Sequence, residues 1–332
     1  MTASMNGTPS VETIEGELLT PSRPPRRRRK KARALRGDDG RIAAILFGPT
    51  GLILIALVAV PIGFLLFTSV TNFNQRSLFT GEFDLVGIKQ YTTVLADKTF
   101  WFAMLRTVLF TAALVLGSVF IGMYVSQMMT RLNNGMRYLV TLVMIFAWAM
   151  PNVASSIVWK WLFQPGYGVV NWLLSRLVIF GDMVNTSWAN NTTLALICIW
   201  LLVIWQAVPY IAITLYAATL AADESCLEAA QLDGAGRWRI YWQILVPMIQ
   251  PNLLVVTLLS VIWDFNVFNQ IWLVSQGGPA GSTSTIGVFT YTKAFVSFDI
   301  GQGSAISVIT VIVLLLLTGV YIRNLLKSGE DL

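Results

Sequence analysis

Leu194-Ala-Leu-Ile-Cys-Ile-Trp-Leu-Leu-Val-Ile-Trp-Gln-Ala-Val-Pro-Tyr-Ile-Ala-Ile-Thr-Leu-Tyr-Ala-Ala-Thr-Leu220 contains no Asp, Glu, Lys or Arg. A hydrocarbon core about 30 Å thick is crossed by about 20 helical residues, and lipid offers a free backbone amide no partner. The stretch therefore reads as a transmembrane helix. Residues 42–70, 102–129, 136–159, 252–275 and 305–322 qualify on the same grounds. The expected fold is an all-α membrane protein of six transmembrane helices. Composition agrees, because 55% of the 332 residues are hydrophobic and only 12% charged, against about a quarter charged in a soluble domain. The first stretch is too long for the apolar part of a cleavable signal sequence, and no small-residue cleavage motif follows it. It is expected to remain as a span.

What the chain lacks narrows its chemistry. It has no histidine, hence neither the commonest metal ligand nor the commonest general acid or base. The expectation is no metal site, no catalytic residue and no cofactor of its own. Cys198 and Cys226 have no nearby cysteine or histidine in sequence and read as free thiols. The net charge of +6 comes mainly from the tract Arg26 to Arg36, with Arg23 and Arg41 beside it. Residues 1–41 read as a disordered, basic, cytoplasmic tail drawn to anionic lipid headgroups rather than to nucleic acid. Arg131 and Arg137, Arg237 and Arg239, and Arg323 and Lys327 fall on the tail's side of six spans. The alternate segments, 71–101, 160–193 and 276–304, hold few basic residues, so both termini are expected in the cytoplasm. Trp161, Phe163, Gln164, Pro165, Gly166 and Tyr167 fit an interfacial aromatic belt on the outer side, or a surface for an external partner.

Between the fourth and fifth spans lies the cytoplasmic segment 223–251, Asp223-Glu-Ser-Cys-Leu-Glu-Ala-Ala-Gln-Leu-Asp-Gly-Ala-Gly-Arg-Trp-Arg-Ile-Tyr-Trp-Gln-Ile-Leu-Val-Pro-Met-Ile-Gln-Pro251. Asp223 suits the N-cap of a short helix in which Ala229 and Ala230 permit close packing, and Gly234 or Gly236 suits its positive-φ end. A second helix should run from about Arg237 to Leu245, with Trp238, Tyr241, Trp242 and Leu245 on one side. Pro247 and Pro251 then redirect the chain into span five. Physically this is a helix, hinge, helix element on the inner membrane face, and an interfacial amphipathic connector would satisfy the same pattern.

The residues Glu228-Ala229-Ala230, Asp233-Gly234-Ala235, Ile244 and Pro247 resemble, in type and spacing, the EAA loop of permeases in ABC importers. A second stretch, Trp263-Asp-Phe-Asn-Val-Phe-Asn-Gln-Ile-Trp-Leu-Val-Ser-Gln-Gly-Gly-Pro279, looks like the first permease of carbohydrate importers, the class of the larger maltose permease and the glycerol-phosphate permease. That resemblance covers roughly residues 42–327 and leaves 328–332 as a short tail. It implies the type I ABC importer permease fold in a bacterial or archaeal plasma membrane. It also implies that Glu228, Ala229, Ala230, Asp233 and Gly234 contact a cytoplasmic ATPase and carry its motions to the membrane helices.

Asp264 is the only acid deep in a span. A carboxylate there costs about 3 kcal/mol on insertion scales, so it calls for a role. Ser260, Asp264 and Val267 share a helical face with Trp263 beside them, and a sugar suits such a face through its hydroxyls and its C–H surface. A bond from Asp264 to another helix or subunit is the plainer reading. Trp148 and Asn152 flank Pro151, and Gln206 and Tyr210 flank Pro209, where a proline opens backbone that can line a wet cavity. The resemblance implies that Trp148, Asn152, Tyr210, Ser260 and Asp264 line a midmembrane sugar site. Where Trp148 and Asp264 stand, the maltose permease has tyrosine and asparagine.

No G-x-x-x-x-G-K-[ST] phosphate loop occurs, so ATP and Mg²⁺ would belong to another subunit. The resemblance implies a second homologous permease, two cytoplasmic ATP-binding subunits, and an extracytoplasmic sugar-binding protein or lipoprotein. An ion-coupled secondary transporter is the alternative, although such carriers commonly hold several intramembrane ionisable groups.

Overall fold

A computed structural model describes residues 45–177 and 181–330, without the side chains of residues 324–330. The basic tail, residues 42–44 and residues 331–332 lie outside the described residues. The chain divides into two units, residues 1–62 and 63–332. The described part of the first, residues 45–62, is helical throughout and passes through a π turn at Ile55–Ala59.

In chain order the helices are α1 (Ile45–Ser69), α2 (Gln75–Thr80), α3 (Lys89–Ala96), α4 (Lys98–Thr130), α5 (Asn134–Ala149), α6 (Asn152–Leu162), α7 (Val169–Arg176), α8 (Thr192–Ala221), α9 (Glu224–Leu232), α10 (Arg237–Met248), α11 (Gln250–Phe265), α12 (Asn269–Ser275), α13 (Ile286–Val296) and α14 (Ile300–Glu330). No strand occurs among the described residues, only an isolated bridge between Thr71 and Leu85. Helices α1, α4, α8 and α14 are each long and apolar enough to cross a membrane. The pairs α5–α6 and α10–α11 bring the total to six when each bent pair forms one span.

Helix starts follow the sequence closely. Asn74, Asp97, Asn133, Asn191 and Asp223 each accept a backbone N–H from the first turn that follows, which satisfies donors the helix itself leaves open.

Two spans depart from the continuous helices expected. The stretch 136–159 is broken at Met150 and Pro151, where α5 and α6 meet at 100°. Proline disfavours helical backbone in the residue before it, and Met150 is extended at φ −69, ψ 128. The stretch 252–275 ends as a helix at Phe265, and a separate helix resumes at Asn269. There the Asn266 side-chain amide donates to the Ile262 carbonyl at 3.0 Å and its N–H to Trp263 O, closing the last turn. Pro209 by contrast sits inside a continuous α8. At the C-terminus α14 continues to Glu330, so most of the expected tail 328–332 is helical.

Helices α4 and α8 form the centre of the second unit. Trp200 Nε1 donates to Ala113 O at 3.0 Å. A Cβ on Gly117 would clash with Ile204 Cδ1, and one on Gly122 would lie 2.5 Å from Ile211 Cγ2. Ile211 is fully buried, so it has nowhere to move. Gly122→Leu should therefore cost about 1–3 kcal/mol by overpacking, measured as earlier thermal melting of the detergent-solubilised protein. An unchanged melting profile would mean that α4 and α8 do not pack closely here.

The segments between spans are folded rather than merely aromatic. Asn171, 1% exposed, donates to the carbonyls of Gln164, Val184 and Thr186 and accepts from Trp188 Nε1 at 2.7 Å. Phe163 and Trp188 are buried against Cys198, Ile199 and Leu202, so these aromatics belong to a core. Trp161 and Tyr167 remain exposed, as a belt or docking surface requires. Arg106 donates to the carbonyls of Gly281 and Ser284 at 3.0 and 2.6 Å. A guanidinium within a span is better satisfied by such carbonyls than by lipid. Cys198 is buried and Cys226 exposed, both free.

Candidate functional site

Helix α8 carries a cavity halfway along its length. Gln206 lies about 21 Å from the start of the helix at 1.5 Å per residue, hence near the middle of a bilayer. Above and below it, α8 buries two separate apolar clusters. Cys198, Ile199, Leu202, Val203 and Ile204 pack with Ile271 and Val274, and Ile211 and Leu215 pack with Met123, Leu245 and Val256. Between them opens a cavity of about 510 Å³, within the range of small-molecule sites.

All seven residues singled out as substrate-binding line this cavity: Trp148, Asn152, Gln206, Tyr210, Ser260, Trp263 and Asp264. The broken spans bring them together. Trp148 lies one residue from the end of α5, Asn152 opens α6 past the bend, and Asp264 lies one residue from the end of α11. Trp148 stacks on Tyr210 with ring centroids 6.1 Å apart and planes 21° apart, and Trp263 meets Tyr210 edge-on at 5.4 Å. Trp148 and Trp263 are each about half exposed, at 53% and 51%, which leaves apolar ring surface free beside the polar groups.

Gln206 differs from the others because its amide already has protein partners. Its Nε2 donates to Asn152 Oδ1 and Ser155 Oγ, both at 3.1 Å, and Gln270 Nε2 donates to its Oε1 at 3.3 Å. It ties α6 and α12 to α8 at the level of the bend. Gln206→Leu should cost about 1–3 kcal/mol, because it takes this partner from the buried side chains of Ser155 and Gln270, and should lower the melting temperature of the purified protein. Unchanged melting would show that this clamp is not needed.

Asp264 Oδ2 is the contrasting case, since it is buried without a hydrogen-bond partner among the described residues. The whole residue is 7% exposed, and no Lys or Arg is among the cavity's lining residues.

The sequence reading did not single out Phe268, Asn266, Asn269 and Gln270, which also line the cavity. A helix carried through to residue 275 scatters them around its circumference, whereas the break after Phe265 gathers them. The signal was present as three amide side chains, Asn266, Asn269 and Gln270, within five apolar-flanked positions.

The segment 223–251 forms the expected helix, hinge, helix. Asp223 caps α9 through Ser225, and hydrogen bonds from Ser225, side chain first and then backbone, hold the Asp223 carboxyl below its ordinary range. Gly234 takes the positive φ of +78°, while Gly236, at φ −67°, is the N-cap of α10. Glu228, Ala229, Asp233 and Gly234 are exposed and Ala230 is half-buried. Leu227 and Tyr241 pack onto the cluster of Met123, Ile211 and Leu245, so α9 is anchored on one side and open on the other. Trp238 lies against Trp242 with ring centroids 5.6 Å apart, on the expected side, yet is 77% exposed and outside the buried cluster. Helix α10 includes a π turn at Tyr241–Leu245, which rotates the following residues relative to a regular α-helix. It meets α11 at 75°, at the position of Pro247 and Pro251.

Comparison with known proteins agrees with this architecture. The chain is 33% identical over 263 residues to the diacetylchitobiose uptake system permease protein DasB of Streptomyces coelicolor, covering 79% of this chain and 80% of that one. It is 29% identical over 285 residues to the sulfoquinovosyl glycerol transport system permease protein SmoG of Agrobacterium fabrum, covering 86% and 90%. A chain in the crystal structure of a bacterial alginate ABC transporter, in complex with an alginate pentasaccharide-bound periplasmic protein, superposes with a TM-score of 0.71. At 18% identity it covers 86% of this chain and 94% of its own length, and supports the fold. Residues 117–328 match the profile of the binding-protein-dependent transport system inner membrane component, and the chain belongs to that family of membrane permeases.

Proposed function

We propose that this chain forms part of the translocation path of an ATP-driven importer for a disaccharide or oligosaccharide. The observation that carries the reading is the cavity at mid-span, where exposed ring surface of Trp148 and Trp263 adjoins Asn152, Ser260 and Asp264. Aromatic faces accept the C–H surface of a pyranose and the polar groups bond its hydroxyls. The names of the relatives DasB and SmoG, a diacetylchitobiose and a sulfoquinovosyl glycerol permease, support a glycosidic cargo.

An extracytoplasmic binding protein or lipoprotein delivers the sugar, and two copies of a cytoplasmic ATP-binding subunit, holding ATP and Mg²⁺, drive the cycle. A second homologous permease completes the path. Glu228, Ala229, Ala230, Asp233 and Gly234 form the contact with the ATPase. Because α9 packs on one side against the cluster that includes Met123 and Ile211, a push on its open face reaches α4 and α8. Closure of the ATPases turns the cavity outward, and hydrolysis returns it inward, alternating access around a fixed site. With both termini cytoplasmic, segment 223–251 faces the ATPases.

Tagging this chain, extracting it from native membranes in mild detergent and identifying what copurifies by mass spectrometry tests the assembly. Stoichiometric recovery of an ATP-binding subunit and a second permease is expected. Repeated recovery of the folded chain alone would overturn the proposal.

A further inference from the structure

Helix α13 turns two different faces to its surroundings. Ile286 and Phe289 are buried against Phe100, Met104 and Ile306, whereas positions 287, 291 and 295, each four residues from the next, fall on another side of the helix. Gly287 has no side chain, and Phe268 fills the room beside it, since a Cβ there would stand 3.8 Å from Phe268 Cβ. Tyr291 follows, its ring centroid 5.0 Å from that of Phe268 and 4.8 Å from that of Trp272, and Phe295 lies 5.4 Å beyond Tyr291. Phe268 and Trp272 stack on each other at 6.1 Å with planes 14° apart. The four rings form one unbroken row.

This row leads away from the cavity. Phe268 belongs to the cavity wall, and Phe295 at the other end is 63% exposed. Two residues before Phe295, Lys293 pairs at 3.7 Å with Asp97, the N-cap of α4. Gly117 of the same helix meets Ile204, close in sequence to Gln206, and Asp97 lies about 30 Å from Gly117 along α4 at 1.5 Å per residue. Hydrocarbon extends only about 15 Å from the middle of a bilayer. Lipid chains therefore do not cover the end of the row.

We infer that Phe268, Trp272, Tyr291 and Phe295 form a carbohydrate-binding extension of the cavity, on which successive units of an oligosaccharide stack between the extracytoplasmic face and the mid-span site. The inference rests on the sugar-site reading above and deepens it. Aromatic faces take up the C–H surface of sugar rings, and stacking of this kind needs no charged group. Rings that only filled a core would be buried as Phe289 is, whereas Phe268, Trp272 and Tyr291 are half-buried and Phe295 is exposed. The competing occupant is the second permease. Continuity favours the glycan, because the row begins in the cavity wall beside the amides of Asn266 and Asn269 and proceeds in steps comparable with one pyranose unit.

Thiol accessibility in the purified full transport complex tests the row. Cys226→Ser removes the exposed thiol and leaves the buried Cys198. Onto this background Phe295→Cys, Tyr291→Cys, Trp148→Cys in the cavity and Phe79→Cys, outside the row and 83% exposed, are introduced one at a time, with assembly checked by subunit stoichiometry. Reaction with a polar maleimide is timed with and without maltotriose, cellotriose or N,N′,N″-triacetylchitotriose. The thiol of Phe295→Cys is expected to react in the intact complex, and at least one probe is expected to slow it at least about threefold, the protection given by a ligand at twice its Kd, without slowing Phe79→Cys. Tyr291→Cys, one turn along, serves as the second reporter of the row. No reaction of Phe295→Cys in the intact complex would mean that the second permease covers it, and would overturn the row with the cavity untouched. Protection of Trp148→Cys without protection of Phe295→Cys or Tyr291→Cys would likewise overturn the row and leave the sugar site standing. Protection at none of these positions by any probe would overturn the sugar-site reading and this inference with it.

Discussion

Asp264→Ala abolishes or redirects sugar uptake while the protein still assembles with its partners. The carboxylate contributes little to folding, because its Oδ2 has no protein partner and a charged side chain in a span is itself unfavourable by about 2.5–3.5 kcal/mol on insertion scales. Its removal therefore leaves the helix α11 intact. For the cargo the balance is reversed. A ligand donor left without its buried acceptor costs about 1–3 kcal/mol, which corresponds to a loss of about 5- to 150-fold in affinity. Radiolabelled uptake across a panel of candidate sugars, with complex stoichiometry measured in parallel, reads both effects. Unchanged uptake of every sugar in the alanine variant would return Asp264 to a structural role.

Gly234→Val uncouples ATP hydrolysis from transport. A Cβ at Gly234 meets no atom within 4 Å, yet its φ is +78°, so the penalty is backbone strain rather than a clash. That strain is of order 1–3 kcal/mol for a non-glycine residue and is relieved by rotating the hinge, which swings α9 relative to α10. The spans do not share in this, since the glycine is exposed at the tip of the segment. Uptake is expected to fall at least about tenfold with ATPase activity of the complex retained. Gly236 provides the control: at φ −67° with nothing within 4 Å of its Cβ, Gly236→Ala should leave uptake near the wild-type level. Full uptake in Gly234→Val would sink the coupling role of this segment.

The long spans were legible because lipid leaves the backbone no other choice. Long apolar runs became α4, α8 and α14, with Arg106 the one charge inside the apolar stretch of α4, and the Asn and Asp residues just before them became caps. The two broken spans were harder to read. Hydropathy is blind to direction, and residues 150–151 are as apolar as their neighbours, so Met150-Pro151 signalled a disturbance without its 100° size. The end of α11 depended on Asn266 turning its side chain back onto Ile262 O, a local choice that the apolar pattern through Trp272 conceals. The residues that line the cavity were legible for a different reason. Polar side chains at mid-span are costly unless they are satisfied or face a cavity, and Asn152, Tyr210, Ser260 and Asp264 line one together with Trp148. Gln206 shows what sequence alone could not distinguish, because a glutamine that would bind a sugar and a glutamine that holds Asn152 and Ser155 in place are the same letter.

The most direct test of the account is uptake of the cognate labelled sugar into proteoliposomes containing the complete complex, with the binding protein outside and ATP enclosed or omitted. Accumulation that requires enclosed Mg-ATP and persists when proton and sodium gradients are collapsed is the predicted result. Accumulation driven by either ion gradient in the absence of ATP would contradict it.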